Sequence, residues 1–209
     1  MATPMFRFDP VELPPEAQTL RMEVRDFIKE HAPLMGFSKG EFNRDFSRAM
    51  GKKGWIGMTW PKQYGGHERS AFERYVIIEE MLVAGAPLSA HYTGDRQSGP
   101  SILRYGTEEQ KQTFVPKLAA GELTFCIGMS EPNSGSDLAG TRTRAVKVDG
   151  GYKINGSKLW TSGGASGRLC HPVLQDGAGG TAGRRSPRWR HAVPARPEIA
   201  GHRHSPRDQ

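Results

Sequence analysis

Ile127-Gly-Met-Ser-Glu-Pro-Asn-Ser-Gly-Ser-Asp137 marks a change in the character of this chain. The apolar run Leu123 to Met129 reads as a strand, and it empties into a loop of small hydroxyl residues and glycine. Such a loop presents main-chain N–H groups and hydroxyls, which suit a phosphate or the polar edge of a ring. Beyond it, Arg142 to Val148 alternates, followed by Asp149-Gly150, then Tyr152 to Ile154, then Asn155-Gly156. Asp-Gly and Asn-Gly between short strand-like runs signal hairpins. A last run, Lys158 to Ser162, is predicted as a strand carrying Trp160 near its end. A Trp in that place suits stacking on a flat ring whose polar edge bonds to Thr161 and Ser162. On the residues alone, a Ser/Gly loop is most often an ordinary turn, and a strand Trp a core residue.

Upstream of Leu123 the period is helical. Pro14 and Pro15 open a helix to about His31, with Leu20, Val24, Phe27 and Ile28 on one stripe and Pro33 ending it. A second helix is predicted over Phe42 to Lys52. A third, Ala71 to Ala84, is apolar nearly all round and predicted to be buried, with Gly85 and Pro87 closing it. A short helix near Ser98 to Tyr105 follows. Thr107 and Gln110 have capping-box spacing for one more, which Pro116 should kink or end. The fold class is therefore α+β: an all-helical domain over 1–122, then an incomplete β-barrel domain over 123–166.

The net charge of +7 is unevenly spread. From Gly167 onward there are eight Arg, no Lys and three acids, so +5 belongs to the last 43 residues and only +2 to the rest. Two cysteines, Cys126 and Cys170, give neither a disulfide framework nor metal-ligand spacing, and predict reduced thiols in a cytoplasmic protein. The first residues lack the apolar core of a signal peptide. No run of about 18 apolar residues appears, so no membrane span is expected.

Several segments together resemble the acyl-CoA dehydrogenase family. Met129-Ser-Glu-Pro-Asn-Ser-Gly-Ser-Asp137 is similar to that family's signature, in which Thr or Ser precedes Glu-Pro and Gly-Ser-Asp follows. Ile154-Asn-Gly-Ser-Lys-Leu-Trp-Thr-Ser162 resembles its second flavin segment at the expected separation. Trp60-Pro-Lys-Gln-Tyr-Gly-Gly66 resembles the turn before the third helix. Gly106-Thr-Glu-Glu-Gln-Lys111 and Pro116-Lys-Leu-Ala-Ala-Gly-Glu122 resemble the last helix before the β domain. The likeness runs in order over about residues 10–166.

The resemblance implies FAD as cofactor, an acyl-CoA thioester as substrate, and α,β-desaturation as the reaction. Main-chain groups of Ile127 and Met129 and the Ser130 hydroxyl are expected at the flavin ring edge. Gly135 and Ser136 are expected to line the entrance, with Ser136 near the flavin pyrophosphate or the CoA arm. Trp160, Thr161 and Ser162 are expected against the other side of the isoalloxazine. The family's catalytic base lies in a C-terminal helical domain, expected to be missing here, so no catalytic residue is assigned; Glu79-Glu80 on the third helix reads as solvated or ion-paired. The resemblance also implies a homodimer or homotetramer passing electrons to an electron-transfer flavoprotein, and a truncated, inactive form is expected. A flavin-dependent oxidase or monooxygenase on the same scaffold is an alternative.

From Gly167 the composition is that of a basic, disordered tail rich in Arg, Pro, Gly and His. Arg184-Arg185-Ser-Pro-Arg-Trp-Arg190 would suit a non-catalytic, nucleic-acid-binding arm. The lack of Lys and of any accompanying fold motif argues against it. A shift of reading frame near Ser166 explains the tail better. Codons permitted for Gly167 onward, read from the second base, allow Ala-Asp-Tyr-Val-Ile-Arg-Phe-Cys-Arg-Thr, and those for 200–204 allow Pro-Gly-Ile-Asp-Ile. Both resemble what the family places there.

Overall fold

A computed structural model of the chain describes residues 12–35, 43–149, 151–161, 169–172, 175–176 and 193–194. Its first part is helical. Pro15 stands in the first turn of α1 (Pro15–His31), where a missing N–H costs nothing. Ala17, Leu20, Val24 and Phe27 form its buried stripe. In α2 (Arg44–Lys52) the Asn43 side chain accepts from the N–H groups of Asp45 and Phe46. Both α3 (Ala71–Val83) and a later helix, Glu108–Ala119, begin with reciprocal capping boxes, Ser70 with Glu73 and Thr107 with Gln110.

α1 lies against α3, and the core between them joins Val24, Phe27, Phe46, Met50, Trp55, Ile56, Val76, Ile77 and Met81. Phe27 meets Trp55 edge-on, with ring centroids 4.9 Å apart. The expectation that α3 is buried all round is corrected. Val76, Ile77 and Met81 are inside, but Leu82 and Val83 are 61% and 82% exposed, and Phe72 and Tyr75 also reach the surface. One side of the helix packs on α1, and no described element covers the other.

Where a short helix is expected near Ser98, a longer helical run appears: α4 (Ser89–Thr93), a π-helical turn (Gly94–Ser98) and α5 (Gly99–Tyr105). The wide turn aims buried Asp95 at the backbone of Gly57, whose N–H donates to it at 2.7 Å, and at Arg74 at 2.7 Å. Pro116 sits inside α6 (Glu108–Ala119) without ending it. Proline forfeits one backbone bond there, and burial of Val115, Leu118 and Ala119 on both sides of it holds the helix.

Trp60 is the joint between the helices and the sheet. It packs with Tyr64, Val115, Leu118 and Phe125, and Phe125 begins β1 (Phe125–Gly128). Glycine is required around it: a Cβ on Gly99 would fall 2.3 Å from Trp60 Cζ2, and one on Gly57, at φ +62°, 2.3 Å from Cε3.

The Asp149-Gly150 hairpin forms as expected. β2 (Arg144–Val148) and β3 (Gly151–Asn155) pair antiparallel, with Ala145 opposite Ile154 and Lys147 opposite Tyr152. Three further strands, β4 (Leu169–Pro172), β5 (Gln175–Asp176) and β6 (Val193–Pro194), complete two three-stranded sheets of order β1-β4-β6 and β3-β2-β5. β4 runs parallel to β1, with Phe125 opposite Leu169. Strands thus lie beyond residue 166, inside the segment whose composition predicts disorder; the rest of 167–209 lies outside the described residues. The architecture is a helical domain followed by a partial sheet.

Candidate functional site

β1 delivers the chain to Met129 and Ser130 and then into a tight loop. The loop is held by its own backbone: Glu131 N–H donates to Ser134 O at 2.7 Å, and Ser134 N–H to Glu131 O at 3.1 Å. The Ser134 hydroxyl is turned inward onto the Asp137 carbonyl. An Asp137 carboxylate oxygen then accepts from Gly140 N–H at 3.2 Å, starting the turn Leu138–Gly140. Serines 134 and 136 therefore divide their work. Ser134 is buried and structural, while Ser136 and Gly135 are exposed, and a Cβ on Gly135 would meet only open space.

At the centre lies Glu131, a buried carboxylate. It accepts from Arg142 N–H at 2.7 Å and from Thr143 N–H at 2.9 Å, and it pairs with Lys158 Nζ at 2.8 Å. Burial by itself pushes this carboxyl up, but the Lys158 ammonium and the donated N–H groups outweigh it and hold the group at about 2. Lys158 also donates to the Met129 carbonyl at 3.1 Å, and Leu159 N–H donates to the Ser130 carbonyl at 2.8 Å. The two segments singled out in the sequence, around Ser130 and around Trp160, are thus stitched side by side.

Trp160 departs from its expected setting. In place of a strand over 158–162, the backbone from Gly156 to Thr161 makes no ladder, and Trp160 has φ +57°. A bulky residue in that region is strained, at a cost of about 1–2 kcal/mol. Its indole is 87% exposed, so it belongs to no core. Met129 is 38% exposed, Ile127, Ser130 and Thr161 are half-buried, and Ser162 lies outside the described residues. The structure brings Met129, Ser130, Trp160 and Thr161 to one neighbourhood and puts Gly135 and Ser136 on the outer edge of the adjoining loop.

Sequence reasoning missed Glu131 and Lys158 as the pair that joins the segments. Both stand inside the quoted motifs, and their opposite charge was the available signal. Their partnership spans 27 residues, beyond any local periodicity. A pocket of about 190 Å³ beside Glu131 is lined by Asn133, Ser134, Arg142, Thr143, Gly156 and Ser157, none of them a sequence-predicted site residue.

Glu79 and Glu80 are ion-paired. Arg21 Nη1 lies 2.6 Å from a carboxylate oxygen of each, and Arg25 holds Glu80 at 2.8 Å. The Tyr75 hydroxyl and Arg21 push the Glu79 carboxyl down, and Arg25 and Arg21 do the same for Glu80, which is opposite to what a base working near neutrality needs. Among the described residues no group of His, Cys, Asp or Glu could hold a metal ion, and no helix is long and apolar enough to cross a membrane.

Residues 14–122 match the acyl-CoA dehydrogenase N-terminal domain, and residues 126–191 the acyl-CoA dehydrogenase middle domain. Acyl-CoA dehydrogenase FadE26 of Mycobacterium tuberculosis is 39% identical over 158 residues, which are 71% of this chain and 39% of that protein. The ChsE4-ChsE5 complex from Mycobacterium tuberculosis matches with a TM-score of 0.71 at 36% identity, over 81% of this chain and 44% of that one. A glutaryl-CoA dehydrogenase from Mycobacterium smegmatis in complex with FADH2 matches with a TM-score of 0.68 at 28% identity, over 79% of this chain and 44% of that one. The chain therefore spans less than half the length of each. By two successive domain matches and a shared fold, the chain belongs to the acyl-CoA dehydrogenase family, a family of oxidoreductases.

Proposed function

We propose that this chain supplies the flavin-facing part of an FAD-dependent acyl-CoA dehydrogenase, which desaturates acyl-CoA thioesters between the α and β carbons. One observation carries the reading: an indole strained into the left-handed region and left 87% exposed, on a segment bonded directly to Ser130. Strain combined with exposure is what a ligand-contacting residue shows and a packing residue does not. The donor set fits a flat heteroaromatic ring. Trp160 offers an apolar face, and the Ser130 and Thr161 hydroxyls offer groups for a polar edge.

When bound, FAD would accept the β-hydrogen as a hydride. Main-chain groups of Ile127 and Met129, with the Ser130 hydroxyl, would hold the ring edge. The Met129 carbonyl already accepts from Lys158, and the Met129 N–H is the main-chain donor it would offer the ring edge. Trp160, Thr161 and Ser162 would cover the other side of the ring, keeping water from it. Gly135 and Ser136, on the exposed side of the loop, would receive the pyrophosphate or the CoA arm. Proton abstraction is assigned to no described residue, since Glu79 and Glu80 are committed to arginines.

An electron-transfer flavoprotein is the proposed electron acceptor. Cys126, buried and in no disulfide among the described residues, is in keeping with a reducing, cytoplasmic setting. Assembly with a second family subunit would cover the apolar side of α3. The test is a titration of FAD into the full chain, followed by flavin fluorescence, with Ser130→Ala and Trp160→Ala alongside. Weak binding, weakened further by both substitutions, and no dehydrogenase activity are expected of this truncated form. Binding indifferent to both would overturn the assignment.

A further inference from the structure

Resting on the flavin reading above, we infer that Lys158 and Glu131 are positioning residues that clamp the two cofactor-facing segments at a fixed spacing, without touching the cofactor themselves. The segments around Ser130 and Trp160 are connected in sequence only through the β2–β3 hairpin. Beyond the pairing of Arg144 and Ala145 with β5, that hairpin is weakly packed: Val146, Val148, Tyr152 and Ile154 are 38–46% exposed.

Among the described residues the direct ties are three, and Lys158 makes two of them. Its ammonium reaches Glu131 Oε1 at 2.8 Å and the Met129 carbonyl at 3.1 Å, while the third is Leu159 N–H to the Ser130 carbonyl at 2.8 Å. Glu131 extends the same knot to the entrance of β2 through the N–H groups of Arg142 and Thr143. Gly156, at φ +144°, lets the chain turn back closely enough for this, since a Cβ there would fall 2.4 Å from the Thr143 hydroxyl.

The Lys158 and Glu131 side chains are only 11% and 7% exposed. Burying such a pair is costly, and an apolar pair of similar volume often stabilises as well or better. An apolar pair, however, could not bind the Met129 carbonyl and the Arg142 and Thr143 N–H groups together. The use of charge here is therefore explained by geometry: it sets where the Ser130 hydroxyl stands relative to the indole of Trp160.

The test is Lys158→Met in the full chain, with Lys158→Arg as the conservative rescue. Amide exchange at Leu159 is followed residue by residue without flavin, with the β2–β3 hairpin amides as control, and FAD is then titrated by fluorescence. Loss of the clamp should speed Leu159 exchange by about tenfold or more while hairpin amides stay within about twofold, and Arg should restore protection. FAD affinity should fall by about tenfold, with a changed visible spectrum of any flavin still bound. Should Lys158→Met fail to fold, Glu131→Gln, which keeps an acceptor for the backbone N–H groups, carries the same measurement. Leu159 exchange that is unchanged, or that rises in step with the hairpin, overturns the clamp. A wild-type chain that takes up no FAD while Leu159 responds as described would overturn the flavin reading and leave the clamp between the segments standing.

Discussion

Trp160 shows how little a residue's type says about its job until its backbone is known. A Trp closing a strand belongs to a core, and truncating it would cost about 3–5 kcal/mol. At 87% exposure the expectation reverses. Trp160→Ala should change stability by no more than about 0.5 kcal/mol in chemical denaturation while weakening FAD by about tenfold; a large loss of stability would mean the indole is packed. His91 carries the opposite lesson. It is buried beside the Ser47 hydroxyl, at 3.1 Å from Nδ1, its Nε2 has no partner among the described residues, and burial pushes its pKa from 6.5 to about 4. The unfolded chain therefore binds a proton near pH 6.5 that the fold refuses until about 4. Stability should fall as pH drops through that window, by up to about 1.4 kcal/mol per unit. Denaturant melts of His91→Gln should lack this slope, and an identical slope in the variant would locate the proton elsewhere.

At the scale of elements, legibility followed the range of the interaction. The starts of α3 and α6 were written locally, in Ser70 with Glu73 and Thr107 with Gln110, and the Asp149-Gly150 turn announced its hairpin. Ser70→Ala and Thr107→Ala should each cost about 1 kcal/mol by the same denaturation assay; no loss would mean the boxes are incidental. Three features were illegible because their causes are distant in sequence. The π-helical turn at Gly94–Ser98 is settled by Asp95 reaching Gly57 and Arg74. The exposed side of α3 is settled by which neighbours cover it. The irregular path of Gly156 to Thr161 is settled by Lys158 seeking Glu131. The Ser/Gly loop was recognised by motif, but which of its serines faces inward depended on the Asp137 carbonyl.

Across the whole molecule, the helical domain is joined to the sheet through Trp60 and Phe125, and the segments around Ser130 and Trp160 lie at the margin of the sheet. The middle-domain match continues to residue 191, and β4 at Leu169–Pro172 pairs with β1. We still propose a frame shift near Ser166, and the coding DNA decides it: read one base out from the Gly167 codon, it should stay open and encode Ala-Asp-Tyr followed by an apolar strand. A stop codon in that frame would end the proposal.

The most direct test of the flavin-facing reading is hydrogen exchange of the full chain with and without saturating FAD. The account predicts new protection concentrated in residues 127–136 and 158–162, with α1 and α3 unchanged. Protection absent from both segments, or confined to the helical domain, would contradict it.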